Sequence, residues 1–227
     1  MPEVIFDGPC GRIEGVYHHN PSPSAPLAIV LHPHPQHGGT MNNKVVFTLY
    51  RAFADSGFSV VRFNFRGVGR SEGECGKGDG EIIDATAALD WIQMINPGQR
   101  DLWVSGFSFG GWIAMQILMR RPEIRNFVTA APPANLYDFN FLAPCPASGI
   151  IIQGADDNIV SVEDVTKLVN KIHSQKRVVL DYVVMENADH FFSGKLDILA
   201  DRVKEYLLRE LVVAKAQLKQ GKTANVS

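Results

Sequence analysis

The chain has few cysteines, no apolar run of membrane length and no excess of either charge. Only Cys10, Cys75 and Cys145 are present, far apart and without a C-x-x-C pair, so neither a disulfide framework nor a thiolate metal site is expected. The net charge is −2 and the basic residues are scattered. This pattern argues against a nucleic acid or an anionic membrane as a partner.

An export signal is also missing from the start of the sequence. Residues 1–7 show no basic region followed by an apolar core, which predicts a soluble protein in a reducing cytoplasm. The composition is 45% hydrophobic and 20% charged over 227 residues, enough to bury one sizeable core. We therefore expect a single domain over residues 1–227.

Apolar, strand-like runs alternate with helix-like segments along the chain. Leu27–Leu31 and residues 58–65 have the continuous apolar character of strands buried on both faces, and Thr40 is predicted to cap the helix between them. Further helices are predicted near residues 82–95, after Ser108, over 162–173 with Ser161 as the cap, and from about 194 past 213; further strands near 102–104, 127–131, 149–153 and 178–184.

This alternation predicts an α/β fold with a mainly parallel sheet covered by helices on both faces. Residues 4–7 and 11–18 are predicted to form a hairpin at one edge of the sheet, and the mostly polar residues 215–227 a frayed tail. In such a sheet, active residues lie in the loops that follow the carboxyl ends of the strands. Those loops are where chemistry is sought.

One strand leads directly into a G-x-S-x-G pattern at residues 106–110. On a sharp strand-to-helix turn the flanking glycines avoid clashes, and the hydroxyl of Ser108 is exposed. The turn also directs the N–H of Phe109 and the positive end of the helix dipole to where an acyl-transfer oxyanion would form. The pattern alone is weak, so its context has to decide.

Two later loops supply an acid and a histidine. Asp156 and Asp157 follow one predicted strand, and His190 follows the next. A serine hydroxyl needs an imidazole to remove its proton, and the imidazole needs a carboxylate to fix its tautomer. Singly, the acids could be turn formers and the histidine a solvated loop residue. Together, in the chain order serine, acid, histidine, they predict a catalytic triad with Ser108.

The loop His32-Pro33-His34-Pro35-Gln36-His37-Gly38-Gly39 follows the first buried strand. Because prolines have no N–H, His34 offers the only backbone donor between the two prolines, and we predict it as the second oxyanion donor beside Phe109. Such a donor contributes roughly 3 kcal/mol to transition-state stabilisation. A metal site of His32, His34 and His37 is the alternative, but neither an acidic ligand nor an H-E-x-x-H helix accompanies them, so no metal is predicted.

A glycine-rich segment at residues 66–73 invites comparison with nucleotide sites. Its spacing fits neither G-x-G-x-x-G nor the phosphate loop G-x-x-x-x-G-K-[ST]. We interpret it as a structural turn, with a nucleotide-dependent enzyme as a weaker alternative. No cofactor is predicted.

Taken together, these segments resemble the α/β-hydrolase superfamily, in particular small lidless bacterial serine hydrolases of dienelactone-hydrolase or esterase type. The resemblance covers residues 32–190 and includes an H-P-H-P-x-x-G-G-T-M segment at 32–41, an F-R-G-x-G-x-S turn at 65–71 and an acid motif, G-x-x-D-x-x-V, at 154–160. It implies an α/β-hydrolase fold with an eight-stranded sheet and no lid domain. It also favours Asp157 over its neighbour as the acid, whereas His32-Pro33 departs from the usual H-G oxyanion segment.

The resulting functional hypothesis is a serine hydrolase that cleaves a small carboxylic ester through an acyl-enzyme on Ser108. An acyl-thioesterase or a peptidase would use the same triad, and a noncatalytic binding protein is a more distant alternative. The expected partner is a small acyl substrate.

Two apolar segments complete the predictions. Residues 132–146 are too short and proline-rich for a helical lid, and their apolar side chains, with Phe107, Phe109 and Phe191, either line a shallow acyl pocket or cover the sheet edge. The final helix is densely apolar between residues 207 and 213, which predicts contact with a second copy of the chain.

Overall fold

Eight strands form one sheet in the computed structural model, which describes residues 2–142, 144–175 and 178–224. The strands are β1 (Glu3–Gly8), β2 (Gly11–His18), β3 (Leu27–Leu31), β4 (Ser59–Phe63), β5 (Leu102–Phe107), β6 (Ile124–Ala130), β7 (Ser148–Gly154) and β8 (Leu180–Met185). Their order is β1-β2-β4-β3-β5-β6-β7-β8, with antiparallel pairs only at β1-β2 and β2-β4. The mainly parallel sheet with a hairpin at one edge is confirmed.

Helices connect the strands and cover both faces of the sheet. Those in the described residues are α1 (Lys44–Asp55), α2 (Asp79–Met94), α3 (Phe109–Leu118), α4 (Val162–His173) and α5 (Leu196–Ala224), with 3-10 turns at Pro35–His37 and Asn140–Leu142. Side chains of α1 and α5 form the core on one face, and those of α2, α3 and α4 form it on the other. Among these helices, none combines the length and apolar character needed to cross a membrane.

The central strand β3 shows why the sheet is buried on both sides. All five of its residues are apolar and at most 1% exposed. Alternate side chains point to opposite faces, so Ala28 and Val30 pack in the α1/α5 core while Leu27, Ile29 and Leu31 pack in the other. Burying each of the larger side chains contributes about 1.5 to 3 kcal/mol. The loop that begins at His32 is therefore attached to a strand that is tightly packed on both faces.

Two helix starts differ from the sequence predictions. Helix α1 is capped by Asn43, whose side chain accepts from the N–H of Val45 at 2.9 Å, and not by Thr40. The Thr40 hydroxyl instead accepts from the N–H of Asn42 and closes the turn before the cap. Helix α2 begins at Asp79, three residues earlier than predicted. The prediction followed the apolar residues, and the first turn of the helix contains the acidic Asp79 and Glu81. Threonine and asparagine are both favoured N-cap residues, so the sequence pattern does not show which of the two caps the helix.

Two segments in the second half of the chain, the connection between β6 and β7 and the last helix, bear on further sequence predictions. The chain between β6 and β7 contains only the 3-10 turn Asn140–Leu142 as regular structure in its described part, in agreement with a fold without a lid. Helix α5 continues to Ala224, so the backbone is helical through most of the tail predicted to fray from Lys215. Residues 225–227 of that predicted tail lie outside the described residues.

Candidate active site

Ser108 lies on a strained turn between β5 and α3. Its backbone has φ 51° and ψ −121°, a positive-φ conformation that costs of order 1–3 kcal/mol in a residue with a side chain. A Cβ on Gly106 would overlap the backbone of Gly110, and a Cβ on Gly110 would overlap the carbonyl oxygen of Leu31. Glycine at both flanking positions therefore permits the turn that holds the Ser108 side chain above the sheet.

The structure brings three of the predicted residues into one hydrogen-bonded chain. His190 Nε2 lies 3.1 Å from Ser108 Oγ, and His190 Nδ1 lies 2.7 Å from Asp157 Oδ2. Asp157 and His190 are buried, whereas Ser108 is partly exposed. A carboxylate can only accept, so Nδ1 donates to Asp157 and a neutral His190 presents Nε2 to the serine hydroxyl as an acceptor. This is the geometry that proton transfer from the serine requires.

Asp157 is held by hydrogen bonds on both oxygens. Oδ1 accepts from the N–H groups of Ile159 and Val160, each at 2.8 Å, and Oδ2 accepts from Gln153 Nε2 at 2.9 Å in addition to His190. Burial alone would raise the pKa of Asp157, but these hydrogen bonds, that from His190 foremost, lower the pKa below its ordinary value. The carboxylate is thus kept ionised beside the imidazole. Gln153, fully buried on β7, was not anticipated from the sequence, where nothing distinguishes it from other strand residues.

The neighbouring acids take no part in this hydrogen-bonded chain. Asp156 is exposed, and its backbone N–H donates to the carbonyl of Ala188 at 2.9 Å. Asp189 Oδ1 accepts from the N–H groups of Phe191 and Ser193 at 3.0 and 2.9 Å, which closes the loop after β8. Asp156 is therefore a turn residue, and Asp189 shapes the loop that presents the histidine.

The predicted oxyanion donors lie on adjacent segments. The His34 ring packs on the Phe109 ring with centroids 4.6 Å apart, because Gly110 lets the start of α3 approach the end of β3. Within the described part of the chain, neither the His34 N–H nor the Phe109 N–H has a hydrogen-bond acceptor. The His34 carbonyl is fixed by the N–H groups of His37 and Gly39, each at 3.0 Å. Two unused main-chain donors therefore lie beside the serine turn.

The histidines of this loop have separate environments. His32 is fully buried, and burial lowers its pKa to about 4, so its ring is neutral at ordinary pH. His34 is partly exposed and caps the 3-10 turn by accepting from the Gln36 N–H at 3.1 Å. Burial and the nearby His37 also lower the pKa of His34. Across the residues that the structure describes, no three histidine, cysteine or acidic side chains form a group that could hold a metal ion.

The glycine-rich segment after β4 is tied down by ion pairs that the sequence did not reveal. Arg66 and Asp84 form a buried pair with Nη2 and Oδ1 2.7 Å apart, and this carboxylate raises the pKa of Arg66. Arg70 donates to the buried Glu14, which also accepts from Asn64 Nδ2 at 2.7 Å. These partners lie on different elements and share no local pattern. The segment is a structural turn that braces the edge of the candidate site.

Only part of the predicted acyl pocket is accessible. Four of the apolar residues proposed to line it are buried and cover the sheet: Phe107, Phe109, Phe139 and Leu142. Leu136 and Phe191 are 63% and 48% exposed, and Tyr137 is half-buried with its ring 4.7 Å from that of Trp112. Phe191 also packs edge-on against the His190 ring at 5.2 Å. Phe191 is therefore an exposed apolar side chain in direct contact with the His190 ring.

Comparison with known proteins agrees with this architecture. The family model described as X-Pro dipeptidyl-peptidase (S15 family) matches residues 16–145, more than half of the chain, including the serine turn. The chain belongs to this S15 family. Like other members of the α/β-hydrolase fold, the S15-family chain has a mainly parallel sheet with helices on both faces.

Several relatives of this S15-family chain cover nearly all of it. "Uncharacterized protein RP471" of Rickettsia prowazekii (strain Madrid E) is 51% identical over 212 residues, which is 92% of this chain and 89% of that protein. The solved structure of ATU1826 from Agrobacterium tumefaciens is 52% identical with a TM-score of 0.90, covering 92% of this chain and 96% of that one. XC6422 from Xanthomonas campestris, a serine hydrolase without a lid, is 33% identical with a TM-score of 0.82 and coverages of 92% and 94%. The protein is thus an α/β hydrolase, similar over most of its length to serine hydrolases such as XC6422.

Proposed function

We propose that the protein is a serine hydrolase that cleaves small carboxylic esters through an acyl-enzyme on Ser108. The observation that supports this most directly is the hydrogen-bonded chain from Ser108 Oγ through His190 to Asp157, with distances of 3.1 and 2.7 Å. In water a serine hydroxyl is a weak nucleophile, and an adjacent oriented imidazole is what activates it.

In the proposed acylation step, Ser108 Oγ attacks the ester carbonyl carbon while its proton passes to His190 Nε2. The ionised Asp157 stabilises the imidazolium through the Nδ1–H hydrogen bond. When the tetrahedral intermediate collapses, the bond to the alcohol oxygen breaks and His190 returns the proton to the leaving alkoxide. A water molecule then repeats the sequence on the acyl-enzyme, releasing the carboxylic acid and the free serine.

The negative charge on the carbonyl oxygen needs donors that are fixed before the reaction starts. The N–H of Phe109 at the start of α3 and the N–H of His34 are the proposed pair, since both lack acceptors in the described part of the chain. The N-terminal end of α3 adds a favourable partial positive charge. Removal of one such donor typically costs about 10² to 10³ in kcat.

The accessible surface favours a short, soluble acyl group. Leu136, Tyr137 and Phe191 offer a few apolar contacts that are at least partly exposed, and the described residues between β6 and β7 form no lid domain that would enclose a long chain. A thioester would fit the same machinery. Peptide cleavage is a second candidate, favoured by the match to the X-Pro dipeptidyl-peptidase family model.

The test begins with a fluorophosphonate probe, which labels activated serines. Wild-type protein is expected to be labelled and to hydrolyse p-nitrophenyl acetate, and Ser108→Ala to do neither. Ser105→Ala is the matched control, because Ser105 is fully buried on β5 beneath the turn and should keep both properties. Full activity of the Ser108→Ala variant would refute the mechanism.

Substrate class is then decided by a panel assayed with the same preparation. It contains acyl p-nitrophenyl esters, acyl thioesters and Ala-Pro p-nitroanilide. We expect the highest kcat/KM on a short ester. A preference for the anilide, abolished by Ser108→Ala, would instead establish the peptidase alternative.

A further inference from the structure

His32 has both ring nitrogens engaged in the interior. Its side chain is fully buried, Nδ1 lies 2.7 Å from the carbonyl oxygen of Pro33, and Nε2 lies 3.0 Å from the backbone nitrogen of Phe65. A carbonyl oxygen can only accept and a backbone N–H can only donate. Both contacts are therefore satisfied by one species, the neutral ring with its proton on Nδ1.

The first of these hydrogen bonds acts on the peptide that joins Pro33 to His34. In a planar trans peptide the C=O and N–H point in opposite directions. Holding the Pro33 oxygen inward on His32 therefore directs the His34 N–H away from the interior. Gly39 packs against the same oxygen, where any Cβ would overlap it, and the next carbonyl, that of His34, is fixed by two further hydrogen bonds.

We propose that His32 is a positioning residue that aims the His34 N–H at the acyl oxygen held above Ser108. It does so through its Nδ1–H bond to Pro33 and never touches the substrate. A peptide whose carbonyl accepts a hydrogen bond is also polarised, which strengthens its N–H as a donor. The inference deepens the proposed function and rests on the acyl-transfer mechanism stated there.

A merely structural role would depend instead on the bond between Nε2 and Phe65, which ties the ends of β3 and β4 together. The two bonds can be separated by substitution. The amide of His32→Asn can place its nitrogen near the Nδ1 position and keep the donor to Pro33. The longer amide of His32→Gln can place its oxygen near the Nε2 position and keep the acceptor for Phe65. His32→Asn thus loses the hydrogen bond from the Phe65 N–H, and His32→Gln loses the hydrogen bond to the Pro33 carbonyl.

The experiment compares kcat and KM on p-nitrophenyl acetate and the thermal midpoint for wild type and both variants. For His32→Gln, kcat is expected to fall about 100-fold with KM within about twofold, because an oxyanion donor acts mainly in the transition state. For His32→Asn, kcat should stay within about tenfold of wild type. Equal kcat values in the two variants, or a larger loss in His32→Asn, would overturn the proposal.

A measurement on the wild-type protein covers the case in which a variant does not fold. Long-range ¹H–¹⁵N NMR at pH 7, with each histidine ring assigned individually, should show the His32 ring protonated on Nδ1 alone. A proton on Nε2 of His32 would overturn the proposal. The Ser108→Ala variant separates failure of the proposed function from failure of the proposed role of His32. Full activity of Ser108→Ala would refute the serine hydrolase mechanism. If Ser108→Ala is inactive but the two His32 variants have equal kcat, only the positioning role is refuted.

Discussion

Replacing Asp157 by Asn tests the candidate triad at its acid, whose two oxygens both accept hydrogen bonds. All four groups that point at this carboxylate are donors: the N–H groups of Ile159 and Val160 on Oδ1, and Gln153 Nε2 and His190 Nδ1 on Oδ2. An asparagine amide has the same shape but only one accepting atom. Asp157→Asn therefore has to place an NH₂ group where two donors already point.

The backbone donors decide which way the new amide turns. Its oxygen is expected to keep Ile159 and Val160, so its nitrogen faces His190. His190 can meet that nitrogen only with an unprotonated Nδ1, and its proton moves to Nε2, which then faces Ser108 and cannot accept the serine proton. Loss of the correct tautomer in this way lowers kcat about 10⁴-fold, or about 5 kcal/mol in the activation free energy.

The assay is kcat on p-nitrophenyl acetate for Asp157→Asn, with Asp156→Asn as the matched control. Asp156 is exposed, so its variant should retain kcat within about threefold. Circular dichroism and the thermal midpoint establish that both variants are folded. If Asp157→Asn keeps kcat within tenfold of wild type, or if Asp156→Asn shows the larger loss, Asp157 is not the acid that orients His190.

Three further predictions concern substrate size, assembly and acid stability. Along p-nitrophenyl esters from acetate to palmitate, kcat/KM should peak at short chains without activation by emulsified lipid; a steady rise to palmitate would contradict the open site. Leu208 and Val212 on α5 are 54% and 67% exposed, so the double variant Leu208→Glu/Val212→Glu should shift a dimer towards monomer in light scattering, unlike Ile83→Glu, which changes an equally exposed residue on α2. A monomeric wild type would discard that idea. The pKa of His32, about 4 when folded against 6.5 when unfolded, means that the unfolded chain binds the proton first as pH falls. From pH 7 to pH 5, wild type should therefore lose about 2 kcal/mol more of its urea-unfolding free energy than His32→Asn; equal losses would contradict a neutral buried His32.

The order of elements could be predicted from the sequence because it depends on local patterns. Continuous apolar runs such as Leu27–Leu31 form strands buried on both faces, and the periodic segments between them form helices, whatever the rest of the chain does. The serine turn could also be predicted, because a strand precedes the G-x-S-x-G pattern and an acid and a histidine follow later strands, which gives an otherwise weak pattern its context. Parallel strands then bring the loops after β5, β7 and β8 to one edge of the sheet, so the candidates Ser108, Asp157 and His190 could be named in advance.

Hydrogen-bond partners and exposure were decided only by the tertiary structure. Asp84 on α2 pairs with Arg66 in the loop after β4, and this contact depends on how the helix packs against the end of the strand. The same holds for Phe109, which resembles a pocket residue in the sequence but is covered by the neighbouring loops. The tautomer of His32 depends on Phe65, 33 residues away along the chain. A side chain's burial and its partners follow from long-range packing, which no local run of residues determines.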